Sequence, residues 1–266
     1  MRRSERRGRA AISNVMSTVI LGSVLLTIML VTSQLANDIL SNQIAASEFN
    51  TAKNIMVTVD SEIDKLIFKI GASSAIKTSF FNTAPGFTRT GQNMNITFEG
   101  RPPYTVGVNA FNIEARPGIG GLFDYDIKGD GALLNPTYNG SFGRVHVSKP
   151  MNWRVSLDYE RAFYIYTGIS NVFNGTQYVN INNVDVTALY LEFGEFQVDT
   201  NSMILIKNDH VDTSTFTLTG NWSLTVSSRG RSSPTINLSE MGGNPSYDTT
   251  VTFHKIYIVI DVMGAS

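Results

Sequence analysis

Residues 12–70 read ISNVMSTVILGSVLLTIMLVTSQLANDILSNQIAASEFNTAKNIMVTVDSEIDKLIFKI, and this stretch decides the fold. Residues 10–37 carry no charged side chain, and Val15 to Leu35 is mostly Val, Ile, Leu and Met with Ser, Thr and the single Gly22. At about 1.5 Å per residue, about 20 such residues cross the ~30 Å hydrocarbon layer of a bilayer. Past it, Phe49, Ala52, Met56, Val59, Ile63, Leu66 and Ile70 recur at spacings of three and four. That is the 3.5-residue repeat of a helix with a packed seam. Asp60, Glu62, Asp64, Lys65 and Lys69 fall off that seam. Gly71 follows the last seam residue, where a left-handed helix terminator fits, and Lys65 and Lys69 complement the helix dipole in the last turns. The spacing predicts one helix over about 12–70, roughly 90 Å long at 1.5 Å per residue. Its seam needs a cover, either the chain's own downstream domain or a neighbouring helix.

Outward from this stretch, the N-terminal nine residues hold Arg2, Arg3, Arg6, Arg7 and Arg9 against Glu5. Positive charge beside an apolar span stays on the cytoplasmic side, so the C-terminal part is expected outside. An ordinary cleaved secretory signal has a shorter apolar core and a small-residue cut site, which is not found before the charged helix begins. A twin-arginine export signal built on Arg6-Arg7 lacks the apolar context after the pair, since Gly8 and Arg9 follow.

Beyond residue 72 the helical period disappears and alternating segments bounded by Gly, Asn, Pro and Ser take over. Strands are predicted at 75–81, 94–99, 104–114, 144–149, 152–158, 162–167, 184–193, 195–207, 213–227 and 250–263. Turns are expected at Pro85-Gly86, Pro117-Gly118, Gly129-Asp130-Gly131, Asn139-Gly140, Asn174-Gly175 and Gly242-Gly243. The run from Thr250 to Val262 reads as a central strand. The predicted class is α+β: a long N-terminal helix, transmembrane then amphipathic, followed by an all-β sandwich-like domain. Residues 1–10 form a basic leader, 11–71 the long helix, and 72–266 an extracytoplasmic β-sandwich domain.

Composition narrows the function. Charged residues make up 16% of the 266, below the usual quarter, and Asn, Ser and Thr take their place. Outside residues 1–9 the chain is net −5, with 16 basic and 21 acidic residues, so no basic face is expected to bind nucleic acid. There is no cysteine, which removes disulfides and thiolate chemistry. The three histidines, His146, His210 and His254, have no partner at metal-ligand spacing, and no nucleophile elbow or dinucleotide fingerprint occurs. Gly118-Ile119-Gly120-Gly121 reads as a turn, since no helical pattern follows it. An enzyme is not expected, nor is a cofactor. Asp124, Asp126 and Asp130 partly match a calcium loop, but Lys128 occupies a ligand position and Asn135 stands where a bidentate Glu belongs, so a solvated turn is the expectation. Acceptor sequons for glycosylation occur at Asn95, Asn139, Asn174, Asn221 and Asn237, about as many as this composition yields by chance.

The segment Arg9-Ala10-Ala11-Ile12-Ser13-Asn14-Val15-Met16-Ser17-Thr18-Val19-Ile20-Leu21 resembles the class III signal peptide of archaeal type IV pilins and archaellins. The resemblance covers about 60 residues. It implies cleavage by a prepilin-peptidase-like enzyme after Ala10, leaving Ala11 as the first mature residue and retaining the whole apolar helix. Bacterial pilins carry Glu at the fifth mature position, whereas Val15 stands here, which favours the archaeal type. The resemblance implies a pilin-like structural subunit of a surface filament serving adhesion, secretion or motility, with other subunits as partners through the helix. The other reading is a single-pass, membrane-anchored extracytoplasmic binding or envelope protein that does not polymerise.

Overall fold

The computed structural model describes residues 2–80, 83–115, 124–136, 142–148, 153–199 and 201–264, with side chains from residue 16 onward and none for residue 115. It contains one long N-terminal helix followed by a β-rich domain. The chain divides into two compact units, 1–47 and 48–266. Helix α1 runs Arg2–Leu66. The predicted turns at Pro117-Gly118 and Asn139-Gly140 and the reading of Gly118 to Gly121 lie outside the described residues.

The helix ends four residues short of the predicted end, and the reason is local. In a continuing helix the amides of residues 70 and 71 would bond the carbonyls of Leu66 and Ile67. Instead the Asn208 side-chain amide donates to both carbonyls at 2.9 Å. Gly71 turns at φ +77° and donates its amide to the Asn208 carbonyl at 2.8 Å. Ile70 therefore leaves the seam and is 67% exposed, while Ile67, which the seam omitted, is fully buried.

The first strands are β1 (Ser73–Ser79), β2 (Thr83–Phe98), β3 (Tyr104–Ala115), β4 (Tyr125–Lys128), β5 (Leu134–Asn135), β6 (Arg144–Ser148) and β7 (Arg154–Asp158). They are followed by β8 (Ala162–Phe173), β9 (Tyr178–Phe196), β10 (Asn201–Leu218), β11 (Ser223–Ser228), β12 (Arg231–Ser232), β13 (Ile236–Asn237) and β14 (Asp248–Gly264). One sheet has the order β1-β10-β14-β9-β8-β5, and the other β12-β11-β2-β3-β7-β6-β4 with β13 on β11. As predicted for the run from Thr250 to Val262, β14 is central, antiparallel to β10 and parallel to β9.

Three sequence boundaries are corrected. Pro85-Gly86 is not a turn; it lies within β2 opposite Ile113 and Asn112. The predicted strand 195–207 is broken between the end of β9 at Phe196 and the start of β10 at Asn201. The predicted strand 213–227 is broken between Leu218 and Ser223, where Gly220 takes φ +74°.

Side chains alternate across a strand, so a change in which alternate is buried marks a change of buried face. In β14 the buried set is Val251 and Phe253, then Ile256, Ile258, Ile260 and Val262. Its parallel neighbour β9 makes the same change between Ala188 and Leu189, in register. In β3, Val106 and Val108 give way to Phe111 and Ile113. Each sheet thus buries one face in one apolar cluster and the opposite face in another. The first cluster packs strand against strand, with Phe98, Phe216, Trp222 and Phe253 at its centre. The second takes the end of α1 between strands of both sheets. Antiparallel β10 accomplishes the switch through a bulge between Asn208 and His210, the same place where Asn208 caps the helix.

Candidate functional site

Two stretches of α1 have distinct chemistry. From Met16 to Ile44 every side chain is exposed, including Val19, Leu26 and Met29, at 60–70% of their surface. Three hydroxyls here turn back onto the helix. Ser23 Oγ donates to the Ile20 carbonyl at 2.8 Å, Thr27 Oγ1 to Ser23 at 2.8 Å and Thr32 Oγ1 to Ile28 at 2.7 Å. With these hydroxyls bonded within the helix and no charged side chain between Met16 and Asp38, the surface over 16–32 is largely hydrocarbon, as a helix solvated by lipid requires. Nothing lies within 4 Å of the position a β-carbon would take at Gly22. This segment is a candidate membrane anchor by length and composition, a test that signal sequences also pass. Arg9, Ala10 and Ala11 sit in the first turns of α1, where only the backbone is described.

From Glu48 onward the helix belongs to the β-rich unit. The seam residues Ala52, Met56, Val59, Ile63 and Leu66 are buried against both sheets, and Phe49 packs edge-on to Trp153 at 4.7 Å. The chain's own domain covers the seam, so within 48–66 no neighbouring helix is needed. Full burial of each such side chain is worth about 1.5–3 kcal/mol.

Asp60, placed off the seam by a strict 3.5 repeat, is fully buried. Its Oδ2 accepts from Lys128 Nζ at 2.5 Å and its Oδ1 from the Tyr159 hydroxyl at 2.9 Å. Asp64, one turn on, accepts from Lys128 at 3.4 Å and from the Phe142 amide at 3.4 Å. Burial, and then the neighbouring Asp60 charge, push the Asp64 carboxyl above the usual carboxylate range. Burial works against the Lys128 ammonium, but the hydrogen bond and charge of Asp60 and the charge of Asp64 outweigh it and raise its affinity for the proton. Burial, reinforced by the two carboxylates, holds the Tyr159 phenol well above its ordinary value, so it serves as a donor. Gly143 makes room for this group, since a β-carbon there would stand 2.0 Å from Asp60 Oδ1. The period of 3.6 does place Met56, Asp60, Ile63 and Ile67 on one face, and that was the available signal.

Lys128 belongs to the calcium-like loop as well. The cation that spoils the ligand pattern is committed to the helix carboxylates. Asp126 accepts from Arg144 Nε at 2.8 Å, and Asp130 Oδ1 accepts the Ala132 amide at 3.2 Å in the turn. Among the described residues no group of three or more His, Asp or Glu side chains could hold a metal ion. A further buried polar run, Asp158, Tyr159, Glu160 and Arg161, gave no sequence signal. Glu160 meets Arg229 and Arg231 at 3.4 and 3.1 Å, and His146 stands 3.5 Å from Asp158. His210 stacks on Tyr257, and His254 meets Thr213 at 3.2 Å. His254 also lines a pocket with Asp185, Thr187 and Thr213.

Of the sequons, Asn174 and Asn221 are exposed, but both side chains accept backbone amides, Asn174 from Thr176 and Gln177 and Asn221 from Ser239. Asn95 and Asn237 are half-buried, with Asn95 accepting from Thr105 Oγ1 at 3.1 Å. Asn139 lies outside the described residues. Comparisons of the chain with protein-family models, with curated proteins and with solved structures find no match to any of them.

Proposed function

We propose that the chain is a pilin-like structural subunit of an archaeal surface filament, non-catalytic, with its β domain outside the cell and its N-terminus cytoplasmic before assembly. One observation carries this reading: an uncharged apolar run with every described side chain exposed continues, without a break in the helix, into a segment locked in a β-rich unit. A processed subunit of this kind needs a helix that lipid solvates first and sister helices cover later. Once out of the bilayer, the covered helices keep that surface from water, at about 25 cal/mol per Å² of apolar area, which holds the assembled state. Gly22, Ser23 and Thr27 are small enough for helices to approach closely. The basic leader would be removed after Ala10 by a prepilin-peptidase-like enzyme, and self-association through the helix would build the filament that serves adhesion, secretion or motility.

The second reading is a permanent single-pass anchor carrying an extracytoplasmic binding or envelope domain. The same exposed hydrocarbon surface favours it, since a lone span requires nothing further.

The test is the N-terminal peptide of the protein recovered from native cells, by mass spectrometry. The expected mature start is Ala11. A start that retains the arginine cluster would overturn the filament reading in favour of the anchor. A start beyond about residue 35, the end of a span-length apolar run, would mark a discarded secretory signal and sink both.

A further inference from the structure

The hairpin of β8 and β9 runs past the end of its sheet. β9 meets β14 only from Ile181 on, opposite Asp248, so beyond that point the hairpin is a ribbon two strands wide. A bulge at Thr167 marks its base, and residues 169–173 then pair with 178–182 in unbroken register. Thr167 Oγ1 donates to the Asn183 carbonyl at 3.2 Å, and Asn183 Nδ2 donates to Ser170 Oγ at 3.0 Å. At the tip Gly175 turns at φ +94°, and the Asn174 side chain accepts the Thr176 and Gln177 amides at 3.0 Å. On the outer side β5 covers only Ala162 and Phe163. From Tyr164 to Phe173 that edge of β8 pairs with no described strand. A two-stranded ribbon is marginal in water by itself and is stabilised by further strands or a packed face.

The composition of this edge sets it apart. Residues 162–184 contain no Asp, Glu, Lys, Arg or Pro. Exposed edges are ordinarily guarded by charge or Pro. The edge strands β1, β4 and β12 follow that rule, with Lys77, with Asp126 and Lys128, and with Arg231. Residues opposite each other in an antiparallel ladder share a face, so Ile169, Phe173 and Tyr178 lie on one face and Val172 and Val179 on the other. The first face continues the alternate of β9 that buries Val184, and its core closes at Asn182, which exchanges two hydrogen bonds with Asn244 at 2.8 and 3.1 Å. Beyond Asn182, Ile169, Val172, Phe173 and Tyr178 are 43–73% exposed. Antiparallel strands that face water do so with a polar face, and this ribbon has none that is free of apolar side chains.

An uncharged, unpaired edge is completed by an extended strand, and the sequence of this edge fits a second copy of itself. Antiparallel pairing about Asn171 sets Ile169 of each copy opposite Phe173 of the other, a β-branched side chain on an aromatic ring. Ser170 then meets Val172, and Asn171 meets Asn171. No like charges are brought together, although each chain beyond residue 9 is net −5.

We infer that the free edge of β8, centred on Asn171, pairs antiparallel with the same edge of a second copy and joins two ribbons into one four-stranded sheet. The contact is two-fold, so it closes on itself as a dimer. The inference does not depend on the filament reading, since an anchored domain would carry the same edge, and it is separate from any association through α1.

The test is sedimentation velocity on the full chain in detergent, with Asn171→Lys and Asn171→Glu. Each variant places two like charges against each other at the two-fold axis and is expected to weaken self-association about tenfold. Asn171 is exposed, so the melting temperature is expected to stay unchanged. An equal mixture of the two variants sets Lys opposite Glu and is expected to recover the association. Association through α1 alone would be indifferent to both charges. The chain has no cysteine, so Asn171→Cys should also oxidise to a disulfide-linked dimer under conditions that leave Lys77→Cys, on the β1 edge, monomeric. A chain that stays monomeric at all concentrations, or association that neither charge weakens, overturns the inference. So does a mixture that fails to recover. A mixed disulfide between Asn171→Cys and Lys77→Cys copies, formed in preference to the Asn171→Cys dimer, would assign the ribbon to a neighbour's β1 edge and overturn the two-fold pairing.

Discussion

The two halves of α1 have the same backbone and opposite environments. From residue 16 to 32 the helix is uncharged and mostly apolar all round, and every side chain is exposed. From 49 to 66 it is apolar on one stripe only, and that stripe is buried. A helix that is hydrophobic all round calls for a nonpolar solvent, whereas a striped helix calls for a wall. The β-rich unit supplies the wall, and in the proposed reading lipid and then other subunits supply the solvent. The difference shows that the residues packed into the folded unit and the residues that form the candidate anchor are separate sets on one helix.

The largest effect should come from opening the wall. Ile63→Ala leaves a cavity at a fully buried position between two sheets and is expected to cost about 3–4 kcal/mol of unfolding free energy. Denaturant melts of the full chain in detergent check this. Next is Lys128→Ala, which strands the buried Asp60 beside Asp64. A broken buried pair costs several kcal/mol, and because the Lys128 side chain is 30% exposed the expected loss is nearer about 2 kcal/mol. Adding Asp60→Asn should recover part of it, and a double variant no better than Lys128→Ala alone would show that the pair does not hold the helix. Asn208→Ala removes both helix-capping hydrogen bonds but also an unsatisfied buried Oδ1, so about 1 kcal/mol is expected. Its distinctive readout is faster amide exchange confined to the last helical turn and residues 67–71.

A smaller effect follows from His146. Burial first, and the charges of Arg144 and Arg229, lower its proton affinity against the opposing pull of Asp158 and Asp126. The unfolded chain therefore takes up the proton first as pH falls below 6.5, and folding stability declines from there toward the lowered folded value. Above 6.5 the contribution is constant. His146→Gln should flatten that part of the stability-versus-pH curve, measured by denaturant melts, and an unchanged slope would assign it to another group.

Much of this was legible in the residues. Val15–Leu35 announces itself by its apolar run, the seam from Ala52 to Leu66 by its period, and the central β14 by its density of Val, Ile and Tyr. What escaped was set by tertiary partners. The helix end depends on Asn208, which is 142 residues away from Leu66. Asp60 looked like a solvated charge because its partners, Lys128 and Tyr159, lie on distant strands. The change of buried face in β9 and β14 turns Thr187 and Ala188 inward together, which blurs the two-residue period that would have marked it.

The smallest expected effect on unfolding is the most telling about the comparison. Leu25→Ala removes as much hydrocarbon as a core truncation, yet Leu25 is exposed and contacts nothing that holds the β-rich unit. Denaturant melts should therefore be unchanged. The same substitution should weaken partition of the chain into lipid vesicles, since about 0.8 kcal/mol is lost for each methylene withdrawn from a nonpolar environment. If Leu25→Ala instead destabilised the folded unit as Ile63→Ala does, the apolar half would have a wall of its own within the chain. The division of labour along α1 would then fail, and the membrane and filament readings would lose their common support.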